Sequence, residues 1–330
     1  MKRIDWIDFG KGLTIFFVVV AHCLSDLLES HHFGNYDLLS QFLLGIILTF
    51  VMPCFFALSG FLYRAPESSG EYLKGMEKKF CGLMIPYAIF SVIFIMLQQF
   101  DKSNVNKLYS WSSLEQIWNK PIGELWFLYS LFFIFLVVGL VDLLHIQWYW
   151  QVLIYGGLFI LVQVVQLPFV VSGTFGWLPC FMIGVILKKH QALLKNKLLF
   201  FGSLGGMLVS LICQYFLVSD WYNTDGMVPA TSISKLLSIF VFFYLFSNLH
   251  PSRLYEYFSR YGQASIVIYL VHVPIKTLLK VFLFKFGLSN YFLVVVALIA
   301  GTWLLSLFVC FLVDRIKFIR WIFYPRLMRG

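Results

Sequence analysis

Residues 38–63 read LLSQFLLGIILTFVMPCFFALSGFLY, and this stretch decides the fold because it contains no charged residue. A helix of about 20 apolar residues is long enough to cross a hydrocarbon core about 30 Å thick. An open strand would leave backbone groups without hydrogen bonds in lipid, so the stretch is predicted to be a transmembrane helix. Pro53 removes a helix donor and crowds the preceding turn, which predicts a break in this helix.

Similar apolar runs recur along the whole chain. Sixty per cent of the 330 residues are hydrophobic and 12% are charged, whereas about 25% of a soluble domain is charged. The sequence therefore predicts an all-α fold, a polytopic membrane helix bundle of about ten transmembrane helices that forms a single domain over residues 1–330. The first run is expected to be a retained helix rather than a signal peptide, because no small-residue cleavage site follows it. The predicted spans are 11–30, 38–63, 80–100, 125–144, 147–167, 169–187, 198–219, 231–249, 263–286 and 291–314.

The formal net charge of +9 reflects membrane topology better than it reflects nucleic-acid binding, because the basic residues lie in short loops beside apolar spans. An even number of spans with both termini in the cytoplasm gives the required asymmetry. One side then holds Lys2, Arg3, Lys11, Arg64, Lys74, Lys78, Lys79, Lys188, Lys189, Lys195, Lys197, Arg253, Arg260, Arg315, Lys317, Arg320, Arg326 and Arg329. The other side holds Lys102, Lys107, Lys120 and Lys285. The basic tail from Arg315 to Arg329, with interleaved aromatic residues, is predicted to be an interfacial anchor.

Metal and disulfide sites are not expected. The six cysteines lie in or at the edge of apolar runs and form no CxxC pair. His31 and His32 lie in an exposed loop without a third ligand nearby.

Ionisable residues within the spans are candidates for function, because burying them in a membrane is costly. Lys11 and His22 are eleven residues apart, close to three helical turns, so they share one helix face. Asp26 follows His22 by four residues and is placed to hydrogen-bond the imidazole. A carboxylate that orients an imidazole and supports its positive charge is a usual partner of a general base. The spacing alone leaves open that His22 is only an interhelical polar contact.

Five short motifs, in order, resemble the membrane acyltransferase-3 family, and in particular its branch of fucose 4-O-acetylase-like and polysaccharide O-acetyltransferases. The first is a basic residue, ten intervening residues and a histidine, matched by Lys11 and His22. Two positions depart from the pattern of this branch: Val51 stands where histidine is frequent, and Gly82 stands where a second arginine is frequent. The remaining motifs are Met52–Leu62, Ile85–Tyr87, Leu125–Leu128 and Ile268–Pro274.

The resemblance implies acyl transfer from cytoplasmic acetyl-coenzyme A to an acceptor reached from the outer side. Coenzyme A is anionic, and Lys11, Arg64, Lys78 and Lys79 are predicted to surround its cytoplasmic entrance, where lysine can bind phosphate as a point charge. The alternative for each of these residues is an ordinary positive-inside role. His22 is predicted either to deprotonate a sugar hydroxyl or to carry the acetyl group itself, and Asp26 is predicted to orient it.

The acceptor site is predicted at the outer side. His272, Lys276 and Lys280 lie four residues apart on one face of the ninth span, where they line an acceptor site or snorkel to the interface. Glu124 and Trp126 lie at the outer end of the fourth span, where the tryptophan stacks on a sugar or belongs to the aromatic belt. Ser59 and Gly60 are predicted to allow close helix packing.

The leading hypothesis is a multi-pass O-acetyltransferase of the plasma membrane that acts on a capsular or other cell-envelope glycan, or on its lipid-linked precursor. Its partners are the bilayer, acetyl-coenzyme A and the glycan, with no nucleic acid; the sequence does not indicate an oligomeric state. The rival is a transporter or flippase of glycan precursors, although transporters commonly show paired repeats with matching broken helices. A sensor or structural protein is a third alternative, without a soluble output domain to support it.

Overall fold

A computed structural model describes residues 4–100, 108–222 and 226–325, and every regular element in these ranges is helical. Nine helices in this part of the chain are long and apolar enough to cross a membrane, which confirms the polytopic helical fold. The predicted fifth span corresponds to a shorter apolar helix of 17 residues, Trp148–Val164. At 1.5 Å per residue it is about 26 Å long, near the lower limit for a span.

The chain divides into two compact units. The first unit comprises Met1–Leu62 and Cys180–Ser306. Its helices are α1 (Asp5–Glu29), α2 (Asp37–Leu62), the end of α7 (Phe169–Lys189), α8 (Lys197–Leu217), α9 (Pro229–Asn248), α10 (Arg253–Gly262), α11 (Ser265–Lys285) and most of α12 (Tyr291–Arg315). Short 3-10 helices occur at Gly34–Tyr36 and Gln191–Lys195.

The second unit comprises Tyr63–Pro179 and Leu307–Gly330. Its helices are α3 (Ser69–Lys79), α4 (Ile85–Phe100), α5 (Trp126–Leu143), α6 (Trp148–Val164), the start of α7, the end of α12 and α13 (Lys317–Phe323). A π-helical turn, Phe80–Met84, joins α3 to α4 without a loop, and 3-10 turns occur at Trp111–Gln116 and Gly123–Leu125. The prediction of one domain over 1–330 and the cytoplasmic placement of both termini stay predictions.

Close packing in the first unit depends on glycine. A Cβ atom added to Gly60 of α2 would lie 1.9 Å from the carbonyl oxygen of Phe181, and one added to Gly184 would lie 1.9 Å from that of Ala57. Helices α2 and α7 therefore each present a glycine to the backbone of the other. This confirms the packing role predicted for Gly60.

The predicted break at Pro53 is wrong, because α2 continues through the proline to Leu62. Proline leaves the carbonyl of the residue four positions earlier, Thr49, without its helical donor. Ser238 of α9 lies 3.0 Å from that carbonyl oxygen and donates a hydrogen bond to it. A neighbouring hydroxyl thus replaces the missing amide, which is a known way for membrane helices to tolerate proline.

Some predictions fall on residues that the structure does not describe. Lys2, Arg3, Lys102, Lys107, Arg326 and Arg329, which enter the charge argument, lie outside the described residues. The described part of the predicted interfacial tail contains α13, where Phe318 and Trp321 are exposed and Phe323 is buried. Its role as an anchor stays a prediction.

Candidate active site

Ionisable side chains of α1 and α11 meet inside the first unit. His22 and Asp26 lie one turn apart on α1, and His272, Lys276 and Lys280 lie one turn apart on α11. Residues spaced by four share a helix face, so each helix presents one polar stripe. We refer to these five residues as the polar cluster.

Asp26 links the two helices. Its Oδ1 atom lies 3.0 Å from Lys280 Nζ and 3.6 Å from Lys276 Nζ. The side chains are 6% exposed for Asp26, 5% for Lys280 and 10% for Lys276. The alternative in which these lysines snorkel to the interface is therefore wrong, because both ammonium groups turn inward to a carboxylate. Buried charges require such pairing.

The two histidines of the polar cluster are adjacent. The ring centroids of His22 and His272 are 5.1 Å apart, and the ring planes are tilted by 39°. His22 is half-buried, whereas His272 is completely buried. Of the two imidazoles, His22 is thus the more exposed.

The backbone of α11 determines the tautomer of His272. Its Nδ1 atom lies 2.7 Å from the carbonyl oxygen of Tyr269 and 3.2 Å from that of Ile268. A carbonyl oxygen only accepts, so Nδ1 carries the proton and donates. In the neutral ring, Nε2 is then a hydrogen-bond acceptor, and it has no hydrogen-bond partner among the described residues.

The predicted donor-binding residues are divided between the units. Lys11 is half-buried on α1, and the helix is continuous to His22, so the two residues lie about 16 Å apart along its axis, as the predicted three turns require. Arg64, Lys78 and Lys79 belong to the second unit. Arg64 is exposed and forms an ion pair of 3.5 Å with Glu67. Their role in donor binding stays a prediction.

Helix α3 of the second unit ends with the basic pair Lys78 and Lys79. Lys78 is exposed, and Lys79 Nζ lies 3.6 Å from the ring centroid of Phe135 on α5. The π-helical turn Phe80–Met84 follows directly, in the segment where Gly82 departs from the family pattern. Single π-turns inside helices occur frequently at functional sites.

Glu124 and Trp126, which were predicted to contact the acceptor, are both half-buried at the start of α5. The Trp126 ring stacks on Trp177 of α7, with centroids 5.4 Å apart and planes 25° apart. One face of the indole is thus covered by protein. Acceptor contact at these residues stays a prediction, as does membership of an aromatic belt.

The comparison with known families determines what kind of protein carries the polar cluster. The sequence model of the acyltransferase-3 family, described as an acyltransferase domain, matches residues 4–311, more than nine-tenths of the chain. The chain belongs to the acyltransferase-3 family. Neither a curated protein nor a solved structure matches it. The protein is therefore a multi-pass membrane acyltransferase.

The residues predicted to function do not include one buried lysine of this acyltransferase. Lys235 of α9 is completely buried in the first unit, and its Nζ atom donates a hydrogen bond to the carbonyl oxygen of Gly226. The signal was present, since a lysine within an apolar span of 20 residues is a candidate for function by default.

A groove of the acyltransferase between α2 and α8 differs in chemistry from the polar cluster. Its volume is about 630 Å³, it is lined by aliphatic and aromatic side chains, and Trp221 packs against one wall through Gly45. Among the residues that the structure describes, those that line the groove include no histidine, carboxylate or amine. Acyl transfer needs groups that accept and donate protons, so the polar cluster is the better candidate for the active site.

Proposed function

We propose that this acyltransferase is an O-acetyltransferase of the plasma membrane, within the fucose 4-O-acetylase-like and polysaccharide O-acetyltransferase branch of its family. It takes acetyl from cytoplasmic acetyl-coenzyme A and transfers it to a sugar hydroxyl of a capsular or other cell-envelope polysaccharide, or of its lipid-linked precursor. The observation that carries the proposal is an accessible imidazole, His22, inside a membrane helix and beside buried charges, in a chain that matches an acyltransferase family almost throughout.

His22 is the general base in this proposal. It removes the proton of the sugar hydroxyl as the oxygen attacks the thioester carbonyl, and an oxyanion forms at the former carbonyl oxygen. Collapse of the oxyanion breaks the carbon–sulfur bond. The coenzyme A thiolate then takes the proton from His22, so that a free thiol and an acetyl ester leave. A route through acetyl-histidine, with two successive transfers, uses the same residue.

The buried charges around His22 support this chemistry. Two ammonium groups and one carboxylate leave one formal positive charge in the polar cluster. Fixed positive charge in a water-poor site favours the negative charge that develops on the oxyanion. Asp26 connects this charge to the helix of His22, and we propose that it also supports the imidazolium, as its position four residues away predicts.

The donor is proposed to approach the basic residues. Lys11 lies three turns from His22 on the same helix, a distance that the extended pantetheine arm of coenzyme A can cover. Lys78 and Arg64 are exposed, Lys79 is half-buried over Phe135, and all three carry the charge that phosphates require. Glu124 and Trp126 are the accessible candidates for the acceptor. Acceptor contact through His272 or Lys276 is less favoured, because both are buried.

The test uses membranes that contain the protein, acetyl-coenzyme A labelled in the acetyl group, and the glycan fraction of the same cells. Wild-type membranes are expected to label the glycan, whereas His22→Ala membranes at equal expression are not. NMR of the purified glycan is expected to show an O-acetyl signal only with active protein. Glycan that crosses the membrane without any acetyl transfer would instead identify a transporter or flippase.

A further inference from the structure

The inference concerns the second histidine of the polar cluster and rests on the proposed role of His22 as base. We infer that His272 is a positioning residue whose Nε2 atom accepts a hydrogen bond from His22 when His22 is protonated. His272 then acts on the reaction only through His22 and touches neither the donor nor the acceptor.

The fixed tautomer of His272 is the first reason. Because Nδ1 donates to the carbonyl oxygens of Tyr269 and Ile268, Nε2 carries the lone pair in the neutral ring. A buried acceptor that lacks a partner is unfavourable and is seldom left so without a purpose. Nε2 is such an atom among the described residues.

The second reason is that His22 gains a hydrogen-bond donor when it takes a proton. A neutral imidazole has one N–H group, and an imidazolium has two. The additional donor needs an acceptor in a site that water reaches poorly. Lys276 and Lys280 cannot provide one, because an ammonium group only donates. Asp26 accepts from Lys280 through Oδ1 and is proposed to support the imidazolium from the same helix as His22. The lone pair of His272 supplies an acceptor for the additional N–H group from the opposite helix, α11.

Distance and burial agree with this role. Rings whose centroids are 5.1 Å apart leave about 3 Å between nitrogens that face one another, the length of a hydrogen bond. In the described orientation the rings are tilted by 39° and this bond is not made, so rotation of His22 completes it. His272 is completely buried, whereas His22 is only half-buried. His22 is therefore the histidine that receives the substrate proton. An interaction that strengthens only with the charge of the transition state raises kcat.

Two amide variants test the inference, because each places a polar amide atom near the position of only one of the two ring nitrogens. In His272→Asn the amide occupies the place of Nδ1 and leaves no acceptor at Nε2, whereas in His272→Gln the amide oxygen reaches toward the Nε2 position. We expect His272→Asn to lower kcat about 10- to 100-fold, the effect of one hydrogen bond to a charged group, with the KM for acetyl-coenzyme A nearly unchanged. His272→Gln is expected to recover most of kcat. His272→Met serves as a variant of similar size without either polar atom.

The decisive measurement is a cycle with His22→Ala, with rates divided by the amount of folded protein. In the His22→Ala background, His272→Asn is expected to cause no further loss, because it acts only through His22. Equal rates for the Asn and Gln variants would overturn the inference, as would additive losses in the cycle. If wild-type membranes transfer no acetyl, the proposed function fails. If wild-type transfers and His272→Asn does so at the full rate, only the inference fails.

Discussion

Lys280 Nζ lies 3.0 Å from Asp26 Oδ1, so a buried ion pair joins α11 to α1 across 254 positions of sequence. Lys276 approaches the same oxygen at 3.6 Å. This arrangement connects the two helices that carry His22 and His272, and it gives Asp26 a structural role in addition to the catalytic one predicted from its spacing.

We expect Asp26→Asn to destabilise the protein more than it slows the reaction. The variant leaves two buried ammonium groups without this carboxylate, and removing one partner of a buried ion pair costs about 3–5 kcal/mol. Thermal unfolding in detergent measures the loss. Adding Lys280→Met is expected to recover part of it, since one unpaired charge is then removed. The control is Glu67→Gln, which breaks the exposed pair with Arg64 and should cost less than about 1 kcal/mol. An unchanged melting temperature for Asp26→Asn would contradict the expectation.

The second prediction concerns the hydrogen bond from Ser238 to the carbonyl oxygen of Thr49. Ser238 shares its hydroxyl proton between Thr49 O at 3.0 Å and Lys235 O at 2.7 Å. Ser238→Ala should cost about 1 kcal/mol, because it leaves the Thr49 carbonyl without a donor. In a Pro53→Ala background the new amide at position 53 bonds Thr49, so the same substitution should cost less. Equal costs in both backgrounds, measured by thermal unfolding, would show that Ser238 does not compensate for the proline.

The third prediction concerns the donor. Replacing Lys78 and Lys79 together by glutamine should raise the KM for acetyl-coenzyme A more than it lowers the maximal rate, because the pair is proposed to bind phosphates and not to take part in the chemistry. The matched control is Lys188→Gln with Lys189→Gln, the basic pair that ends α7. Initial rates over a range of donor concentrations measure both parameters. If both pairs give the same donor dependence, the basic end of α3 does not bind the donor.

Topology provides a fourth prediction, which depends on the short helix α6. If α6 crosses the membrane, both termini are cytoplasmic as the charge asymmetry predicts. In a background without the native cysteines, Ile146→Cys should react with an impermeant thiol reagent only from the cytoplasm, and Gln166→Cys only from outside. Asn196→Cys, beside Lys195, is the cytoplasmic reference. Labelling of 146 and 166 from one side would show that α6 does not cross, and outside labelling of 196 would contradict the whole topology.

The fold was largely predictable because transmembrane helices are local. Length and the absence of charge within a run determine where a helix lies, so the predicted span 38–63 agrees closely with α2, Asp37–Leu62. The continuity of α2 through Pro53 was not predictable, since it depends on a serine 185 positions later. Local sequence describes a helix but not the neighbour that supplies its missing donor.

The same limit applies to the candidate site. The spacing of Lys11, His22 and Asp26 predicted one face of α1, and the four-residue spacing of His272 and Lys276 predicted one face of α11. That these faces meet is a long-range packing result which no local pattern encodes. A lysine in an apolar helix is compatible with snorkelling as well as with pairing, and only the opposing Asp26 decides between them.

The last prediction is that His22→Ala lowers the transfer rate by about 10² to 10⁴, the usual contribution of a positioned acid–base group. The loss should be larger if His22 carries the acetyl group covalently. Donor binding should survive, because Lys11 lies about 16 Å from His22 along α1. Labelled acetyl-coenzyme A measures transfer and binding in the same membranes, with exposed His250→Ala as the control.

Asp26→Asn should slow transfer less than His22→Ala, because it removes a support and not the base. The comparison with His272→Ala is decisive at equal expression. If His22→Ala retains near-normal transfer while His272→Ala abolishes it, the base lies on α11, and burial of His272 must then be relieved during the reaction.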